Sequence, residues 1–144
     1  VAYIYASNAG GFGAAGTDNV ITCGSFTTDG SGNATVTLGY EPQFVIFKRT
    51  NSATNGEWVM FDNMRGMPAT GSASLAARLK PNETTAENLL TGDIKITSTG
   101  FVVSWVANAP MIYIAIRWQR IGSIARQIKN FTAKFYRQLP RIIP

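Results

Sequence analysis

The side chains best placed to do chemistry lie in a short polar segment, Asp62-Asn63-Met64-Arg65-Gly66, that follows a run of apolar residues. A carboxylate and a guanidinium three positions apart could hold a ligand or an ion. They could instead hydrogen-bond to each other, because the planar fork of arginine matches a carboxylate in both geometry and charge. The sequence favours the second interpretation, in which Asp62, Arg65 and Gly66 mark a turn of the fold rather than a binding site.

The other carboxylates form weaker patterns for catalysis or metal binding. Glu83 and Glu87 have helical spacing, but a glycosidase needs two carboxyl groups that face each other across a sugar, and no such cleft is suggested. Asp18, Asp29 and Asp93 neighbour Asn or Gly. They do not form the alternating acidic series of a calcium-binding EF-hand loop. We therefore expect no metal site and no cofactor.

Enzyme chemistry is further restricted by composition, since the chain has no histidine and one cysteine. This excludes Ser-His-Asp and Cys-His catalysis and removes the usual zinc sites. Residues 11–16 match the pattern G-x-G-x-x-G, but a dinucleotide-binding loop must be followed by a helix and a parallel strand. Residues 18–28 favour loop and strand instead. The sequence therefore predicts a protein that is not an enzyme.

The scaffold that would position these residues is predicted to consist of β-strands. Short runs that alternate apolar and polar residues, or that are rich in β-branched and aromatic residues, are separated by turn signals. This pattern predicts an all-β fold, an antiparallel, jelly-roll-like β-sandwich of seven or eight short strands. The predicted strands cover residues 1–5, 20–27, 34–38, 44–47, 57–62, 94–97, 101–106 and 111–116.

Turn signals also predict how some of these elements connect. Residues 29–33, Asp-Gly-Ser-Gly-Asn, tolerate positive φ and lie between two predicted strands, which favours a β-hairpin. Residues 72–79 could form a helical turn, and residues 81–90 are typical of a loop. Trp58 and Trp105 fall in predicted strands, so we expect them in the core rather than at a sugar-binding surface.

The net charge of +5 is unevenly distributed along the chain. Residues 1–116 hold six Lys/Arg and eight Asp/Glu, whereas residues 117–144 hold seven Lys/Arg and no acid. A change of this size indicates a boundary. We predict a β-sandwich domain over residues 1–117, with a Gly-rich N-terminal loop, and a separate basic amphipathic segment over residues 118–144.

The basic segment is predicted to form an amphipathic helix. Its apolar residues recur at steps of three and four, which is helical spacing, and Pro140 would end the helix. The helix could pack on a partner subunit, lie on an anionic membrane surface or contact nucleic-acid phosphates, or the segment could be a disordered end. Assembly with a partner is favoured over these alternatives. The apolar seam consists of Ile121, Ile124, Ile128, Phe131 and Phe135. The candidate partner contacts are Arg120, Ile124, Ile128, Lys129, Phe131 and Phe135.

Five motifs, in order along residues 20–117, resemble a family of tailed-phage tail-fibre and tail-appendage proteins. In that family a strand of the form G-[FY]-x-P-x-[FLV]-V-x-x-K precedes a tryptophan strand that ends in [FY]-D-x-x-R-G. An Asn-rich stretch, a T-S-x-G-F-x-V strand and a final Y-I-A-I-R strand follow. The matching residues here are 40–49; Trp58, Phe61, Asp62, Arg65 and Gly66; Leu79, Asn82, Thr84, Ala86 and Glu87; Thr97, Ser98, Gly100, Phe101 and Val103; and Asn108 and 113–117.

The resemblance implies a structural protein of the phage virion, homotrimeric and without a cofactor. Loops 50–56 and 67–74 would face partners or host glycans. The chain departs from the family pattern at residues 109–111 and after Arg117. The expected function is therefore a tail-fibre or tail-appendage module with host adhesion. A capsid-decorating protein, such as a cement protein or head fibre, is the alternative, and a glycan-degrading enzyme is less favoured.

Overall fold

The computed structural model of the chain describes residues 4–13, 15–52, 56–70, 72, 75–90 and 94–118. Within them, regular structure consists of nine strands and one short turn of 3-10 helix. The strands are β1 (Ile21–Thr27), β2 (Asn33–Thr37), β3 (Phe44–Arg49), β4 (Trp58–Asp62), β5 (Ala76–Arg78), β6 (Asn88–Leu90), β7 (Ile94–Thr97), β8 (Gly100–Ser104) and β9 (Pro110–Ile116). The predicted all-β class is confirmed. The predicted C-terminal helix lies outside the described residues, and residues 4 and 5 of the predicted first strand are not in a strand.

The strand pairs are all antiparallel and form three sheets. One sheet has the order β1-β9-β3-β4, the second has the order β2-β8-β7, and β5 and β6 form a two-stranded third. The two larger sheets pack face to face, since side chains of both belong to one buried cluster. The rings of Phe101 in β8 and Tyr113 in β9 meet between the sheets, with centroids 5.5 Å apart. The architecture is therefore β-sandwich-like, as predicted.

The core is built by alternation along the strands. Successive side chains of a strand point to opposite faces, and alternate residues of β3, β4 and β9 are buried. Phe47 is 0% exposed and stacks on Phe61, with ring centroids 5.8 Å apart. The buried side chains are Val45, Phe47, Val59, Phe61, Met111, Tyr113 and Ala115 from the four-stranded sheet and Val36, Ile94, Phe101 and Val103 from the three-stranded sheet.

The predicted hairpin between β1 and β2 is wrong, because these strands lie in different sheets. β1 pairs with β9, and β2 pairs with β8. The register is continuous through both pairs, since Ile21 lies opposite Ile116 at one end and Thr37 lies opposite Gly100 at the other. Two segments that are distant in sequence therefore run together as one ribbon that crosses both sheets. The turn signal marks the bend of this ribbon and not a hairpin.

A buried threonine holds the bend. Thr28 is 2% exposed. Its hydroxyl donates to the carbonyl oxygen of Val106 at 2.6 Å and accepts from the backbone N–H of Ala109 at 2.9 Å. Nearby, Gly32 has a φ of 85°, and a Cβ there would lie 2.2 Å from the carbonyl oxygen of Trp105. Only glycine fits this position, because it alone lacks a Cβ and adopts positive φ without strain.

The segment between β4 and β7 departs most from the sequence predictions. Residues 76–78 form β5 instead of a helical turn, and residues 88–90 form β6 within the predicted loop. A strand of three residues is too short to show a period. Its position is set instead by its neighbours, since Leu79 exchanges two backbone hydrogen bonds with Met60 of β4, at 2.8 and 3.1 Å. The short β5–β6 sheet is thereby attached to the edge of the four-stranded sheet.

Candidate functional site

The Asp62–Gly66 turn is closed by its own side chains. Asp62 ends β4, and its Oδ1 accepts the backbone N–H of Arg65 at 2.9 Å, which caps the turn of 3-10 helix Asn63–Arg65. Arg65 Nε donates to Asp62 Oδ2 at 2.7 Å, and Nη2 contacts the same oxygen. Gly66 ends the turn with a φ of 91° and donates its N–H to the Asn63 carbonyl oxygen. The predicted hydrogen bond between Asp62 and Arg65 is therefore present.

The arrangement leaves little of the Asp62 carboxylate for a ligand. The residue is 8% exposed, and both of its oxygens accept hydrogen bonds from Arg65. Arg65 Nη1 also lies 3.6 Å from Glu87 Oε2, which joins the turn to the segment before β6. A charge-assisted pair of this kind, half-buried and doubly bonded, is suited to holding two chain segments in a fixed position. Glu87 is therefore engaged by Arg65 and does not face Glu83 across a cleft.

A second ionic cluster attaches residues 79–83 to β4. Lys80 Nζ lies 3.3 Å from Glu57 Oε1 and 3.2 Å from Glu83 Oε2. A hydrogen bond from its own backbone N–H, with support from Lys80, lowers the pKa of the Glu57 carboxyl. The Asn82 side chain accepts the backbone N–H of Trp58 at 2.9 Å. Glu83, a candidate acid in the sequence, thus takes part in a contact between a loop and a strand.

The remaining aspartates are spread over the molecule. Asp29 Oδ1 accepts the N–H groups of Ser31 and Asn33, both at 2.8 Å, and so stabilises its own turn. Asp18 pairs with Arg117 at 3.2 Å, which ties the N-terminal loop to the end of β9. Asp93 lies outside the described residues. Among the residues that the structure describes, no group of three or more acidic or cysteine side chains could hold a metal ion.

The glycine-rich loop folds back on itself. The N–H of Gly11 donates to the carbonyl oxygen of Gly16 at 2.9 Å, and the N–H of Asp18 donates to that of Phe12 at 2.9 Å. The next regular element is strand β1 and not a helix, as the sequence predicted. The backbone donors that a dinucleotide-binding loop would offer to a pyrophosphate are therefore partly used within the loop.

Sequence reasoning missed an apolar surface on the four-stranded sheet. Ile112 lies between two inward-facing residues of β9 and is 40% exposed on the side opposite the core. The cross-strand register places equivalent positions of β1, β3 and β4 beside it. We call this surface the outer face. It consists of Ile21, Cys23, Phe44, Ile46, Lys48, Trp58, Met60, Ile112, Ile114 and Ile116. Two polar residues of the edge strands border it, since Ser25 lies opposite Ile112 and Asp62 lies opposite Phe44.

A signal for the outer face exists in the sequence. Residues 44–47, 58–61 and 111–116 are unbroken apolar runs, whereas a strand with one solvated face alternates apolar and polar residues. Unbroken runs are typical of strands that are buried on both sides. The three runs are three neighbouring strands of the sheet, β4, β3 and β9. Their apolar character on both faces is therefore a property of the sheet as a whole.

The tryptophans divide between the core and the surface. Trp105 packs against the core, with its ring 5.5 Å from that of Phe47 in an edge-on arrangement, as the sequence predicted. The prediction that Trp58 lies in the core is wrong. Trp58 is partly exposed on the outer face, where Lys48 Nζ lies 5.8 Å from its ring centroid. Trp118 is 49% exposed.

The end of β9 leads into the basic segment. The N–H of Arg117 donates to the Val20 carbonyl oxygen at 2.8 Å, and that of Trp118 donates to the Gln43 side chain at 2.7 Å. No helix in the described part of the chain is long and apolar enough to cross a membrane. The predicted contact residues Arg120, Ile124, Ile128, Lys129, Phe131 and Phe135 lie outside the described residues.

Comparison with known protein families gives a match over most of the chain. A family model described as a domain of unknown function, DUF7483, matches residues 1–113. The matched range includes the Asp62–Gly66 turn and the larger part of the outer face. No curated protein and no solved structure matches the chain.

Proposed function

The chain belongs to the DUF7483 family, a family of unknown function. From the resemblance of its five motifs to those of tail-appendage proteins, we propose that it is a structural component of a tailed-phage virion. The proposed role is that of a tail-fibre or tail-appendage module. The observation that carries this proposal is the coincidence of the five motifs with the framework of the fold. Motif residues occur in β3, in the Asp62–Gly66 turn, in β8 and in β9.

The contacts of the motif residues support a structural role. Phe101 and Ala115 are buried in the core between the sheets. Asp62 and Arg65 close a turn, and Glu87 reaches the same guanidinium. In these places the motif residues hold strands and turns together. We propose on this basis that the protein is not an enzyme and uses no cofactor.

The proposed fold is jelly-roll-like, with a basic amphipathic helix at the C-terminus. The ribbon formed by β1–β2 and β8–β9 supports this topology, because jelly rolls wrap long antiparallel strand pairs over two sheets. The apolar seam from residue 121 to residue 135 supports the helix. The proposed domain boundary lies at residue 117, one residue after β9 ends.

The proposed working form is a homotrimer on the virion surface. Several copies would give adhesion to host glycans by avidity, because linked weak sites bind far more tightly than one site alone. Of the two predicted contact loops, residues 68–70 are held against β7, since Ile96 exchanges backbone hydrogen bonds with Pro68 and Thr70. The connection between β3 and β4 is therefore the better candidate for contact with a partner or a glycan.

A capsid-decorating role is the second candidate, and the charge distribution favours it. Seven cations and no acid follow residue 116, and a segment of this kind could dock on an acidic capsid surface. In either role the cations, including Arg120 and Lys129, would contact other structural proteins of the particle. Nucleic acid and membrane are less favoured partners.

The test is to locate the chain on particles by labelling. Gold-conjugated antibodies against the purified chain are applied to particles of the phage whose genome encodes it, with particles of an unrelated phage as the control. Labelling of fibres or of the tail supports the first role, and labelling of the head supports the second. Absence of the chain from the particles, checked by mass spectrometry of purified virions, overturns both.

The oligomeric state is tested separately by native mass spectrometry of the full chain. A stable complex of three copies is expected. A monomer at micromolar concentration would remove the trimer from the proposal. Incubation with host surface polysaccharide serves as the check on catalysis, and release of oligosaccharides would overturn the non-enzymatic assignment.

A further inference from the structure

The outer face of the four-stranded sheet is the largest feature that the proposed function leaves unexplained. Its side chains are partly exposed, and none of them belongs to the buried core cluster. Apart from Lys48 and the cysteine, they are aliphatic, aromatic or methionine side chains that lie side by side on four strands. A contiguous, partly exposed apolar surface of this kind is typical of interaction sites.

We propose that residues 121–135 form a helix whose apolar seam docks on the outer face of the same chain. The seam consists of the five residues Ile121, Ile124, Ile128, Phe131 and Phe135. This inference shares the C-terminal helix with the proposed fold but does not depend on the proposed virion role, because it concerns only how the chain covers its own sheet.

The connection between the sheet and the seam is short enough for this docking. β9 is an interior strand of the sheet, between β1 and β3, and ends at Ile116. The backbone N–H of Trp118 still donates to the Gln43 side chain, so the chain is held at the sheet as far as this residue. Ile121 comes only three residues later. Connections of about 2–6 residues between a strand and a helix are those that lay the helix back over the sheet.

The dimensions of the two surfaces also agree. A helix over residues 121–135 would be about 22 Å long at ~1.5 Å per residue. Four strands that lie roughly 4.8 Å apart, with their side chains, present a surface of similar extent. The seam carries three isoleucines and two phenylalanines against a face of mainly isoleucine, methionine and aromatic residues.

Charge placement favours the proposed orientation of the helix. At helical spacing, Arg126, Lys129 and Arg137 fall on the side opposite the seam. Docking by the seam would turn these cations to solvent, where they are available for an acidic partner. The outer face itself contains one cation, Lys48, which already lies over the Trp58 ring.

The chain's own segment is favoured over a second copy by its covalent attachment. A short linker gives a tethered group an effective concentration in the millimolar range. A second copy that offered a similar apolar area would have to reach that concentration before it could compete with the tethered segment for the outer face. At micromolar protein the tethered segment therefore occupies the face first.

Cys23 provides a reporter for this contact. It is the single cysteine of the chain, and it lies on the outer face in β1, opposite Ile114 of β9. A docked segment would shield its thiol. The experiment measures the rate at which a neutral maleimide labels Cys23 in the folded full chain, followed by intact-mass spectrometry.

Two full-chain variants with the same change in charge are compared with the wild type. Ile124→Asp with Ile128→Asp places two carboxylates in the seam, and Asn130→Asp with Ala133→Asp places two on other sides of the helix. We expect the seam variant to label about tenfold faster, because the thiol no longer needs a local opening event to react. The control variant should label at the wild-type rate. Equal rates in all three proteins overturn the proposal.

Two further measurements on the wild type keep the test decisive if the seam variant fails to fold. Hydrogen exchange should show protected amides within residues 121–135, and unprotected amides there overturn the docked helix. The labelling rate is also measured over a hundredfold range of protein concentration. A rate that stays constant supports the chain's own segment. Protection that disappears on dilution, together with dissociation in native mass spectra, identifies a second copy as the cover and overturns the proposal.

Discussion

The inner and outer faces of the four-stranded sheet are made by alternate residues of the same strands, yet their surroundings differ. On β3, Val45 and Phe47 face the three-stranded sheet and are completely buried, while Phe44 and Ile46 face the other way and are only partly buried by the described part of the chain. Both sets are apolar. The comparison shows that hydrophobic composition does not by itself make a core, because burial also requires an opposing surface.

The strongest test of this difference uses two phenylalanines of the same strand. Phe47→Ala should destabilise the protein by about 3–5 kcal/mol, because it removes a fully buried ring and leaves a cavity. Phe44→Ala is the matched change on the outer face and should cost about 1–2 kcal/mol, since a ring covered only by the proposed seam helix loses less buried area than a ring enclosed between two sheets. Urea denaturation followed by circular dichroism measures both. Similar losses would show that the two faces are equally buried in solution.

The second prediction concerns the polar contacts of Thr28, which lie at the bend of the ribbon and at the end of the inner face. Thr28→Val keeps the shape of the side chain but removes the hydroxyl that bonds to Val106 and Ala109. It should cost about 2–3 kcal/mol, because a buried carbonyl oxygen and a buried N–H lose their partner. The exposed neighbour Thr27→Val should stay within about 0.5 kcal/mol of the wild type. If Thr28→Val lowers the free energy of unfolding as little as Thr27→Val does, water enters the bend and replaces the hydroxyl.

The Asp62 turn tests how much the edge of the sheet depends on its ionic contacts. Asp62→Ala should cost about 2 kcal/mol, since it removes a cap and leaves the half-buried Arg65 without its nearest carboxylate. Glu87→Ala removes the more distant and more exposed partner of Arg65, and should cost less than about 0.5 kcal/mol. Thermal unfolding of the two variants compares them directly. A larger effect of Glu87→Ala would reverse the ranking of the two carboxylates.

The smallest expected effect concerns two tyrosines that lie on the core side of the sheet. Burial raises the pKa of the Tyr40 and Tyr113 phenols above their ordinary value. Unfolded tyrosines titrate near about 10, so above that pH the unfolded state loses phenol protons before the folded state does. The stability contributed by these groups is therefore complete below about pH 10 and decreases as the pH rises through their folded pKa values.

Tyr40→Phe should make this alkaline loss of stability shallower. The free energy of unfolding is measured by urea denaturation between pH 8 and pH 11, with the exposed Tyr5→Phe as the control. The wild type and the control should show the same slope, and Tyr40→Phe should show a smaller one. A slope unchanged by Tyr40→Phe would mean that the phenol, whose oxygen lies 2.9 Å from Thr22 Oγ1 and 3.1 Å from the Ala115 carbonyl oxygen, is solvated in the folded protein.

The local pattern of apolar and polar residues was sufficient to predict that the fold is all-β and where several of the strands lie. β3, β4, β7 and β9 lie within one or two residues of their predicted bounds, because period-two alternation and β-branched or aromatic runs are visible without a partner. The Asp62–Arg65 hydrogen bond was also predictable, since its partners are three residues apart and their chemistry matches. These features depend on residues that are close together in the sequence.

Features that depend on distant residues required the folded chain. The turn at residues 29–33 predicted a hairpin, but β1 and β2 pair with β9 and β8, whose residues are 63 to 95 positions away in the sequence. β5 and β6 are too short to show a period, and Trp58 faces outward although its run is as apolar as that of β3. The partner of each strand, and the side of the sheet on which each side chain lies, depend on which surfaces pack together in the folded chain. A single sequence does not contain that information in a local pattern. The unbroken apolar runs of β3, β4 and β9 are typical of a sheet with two apolar faces, but only the position of the opposing sheet decides which of the two faces is the core.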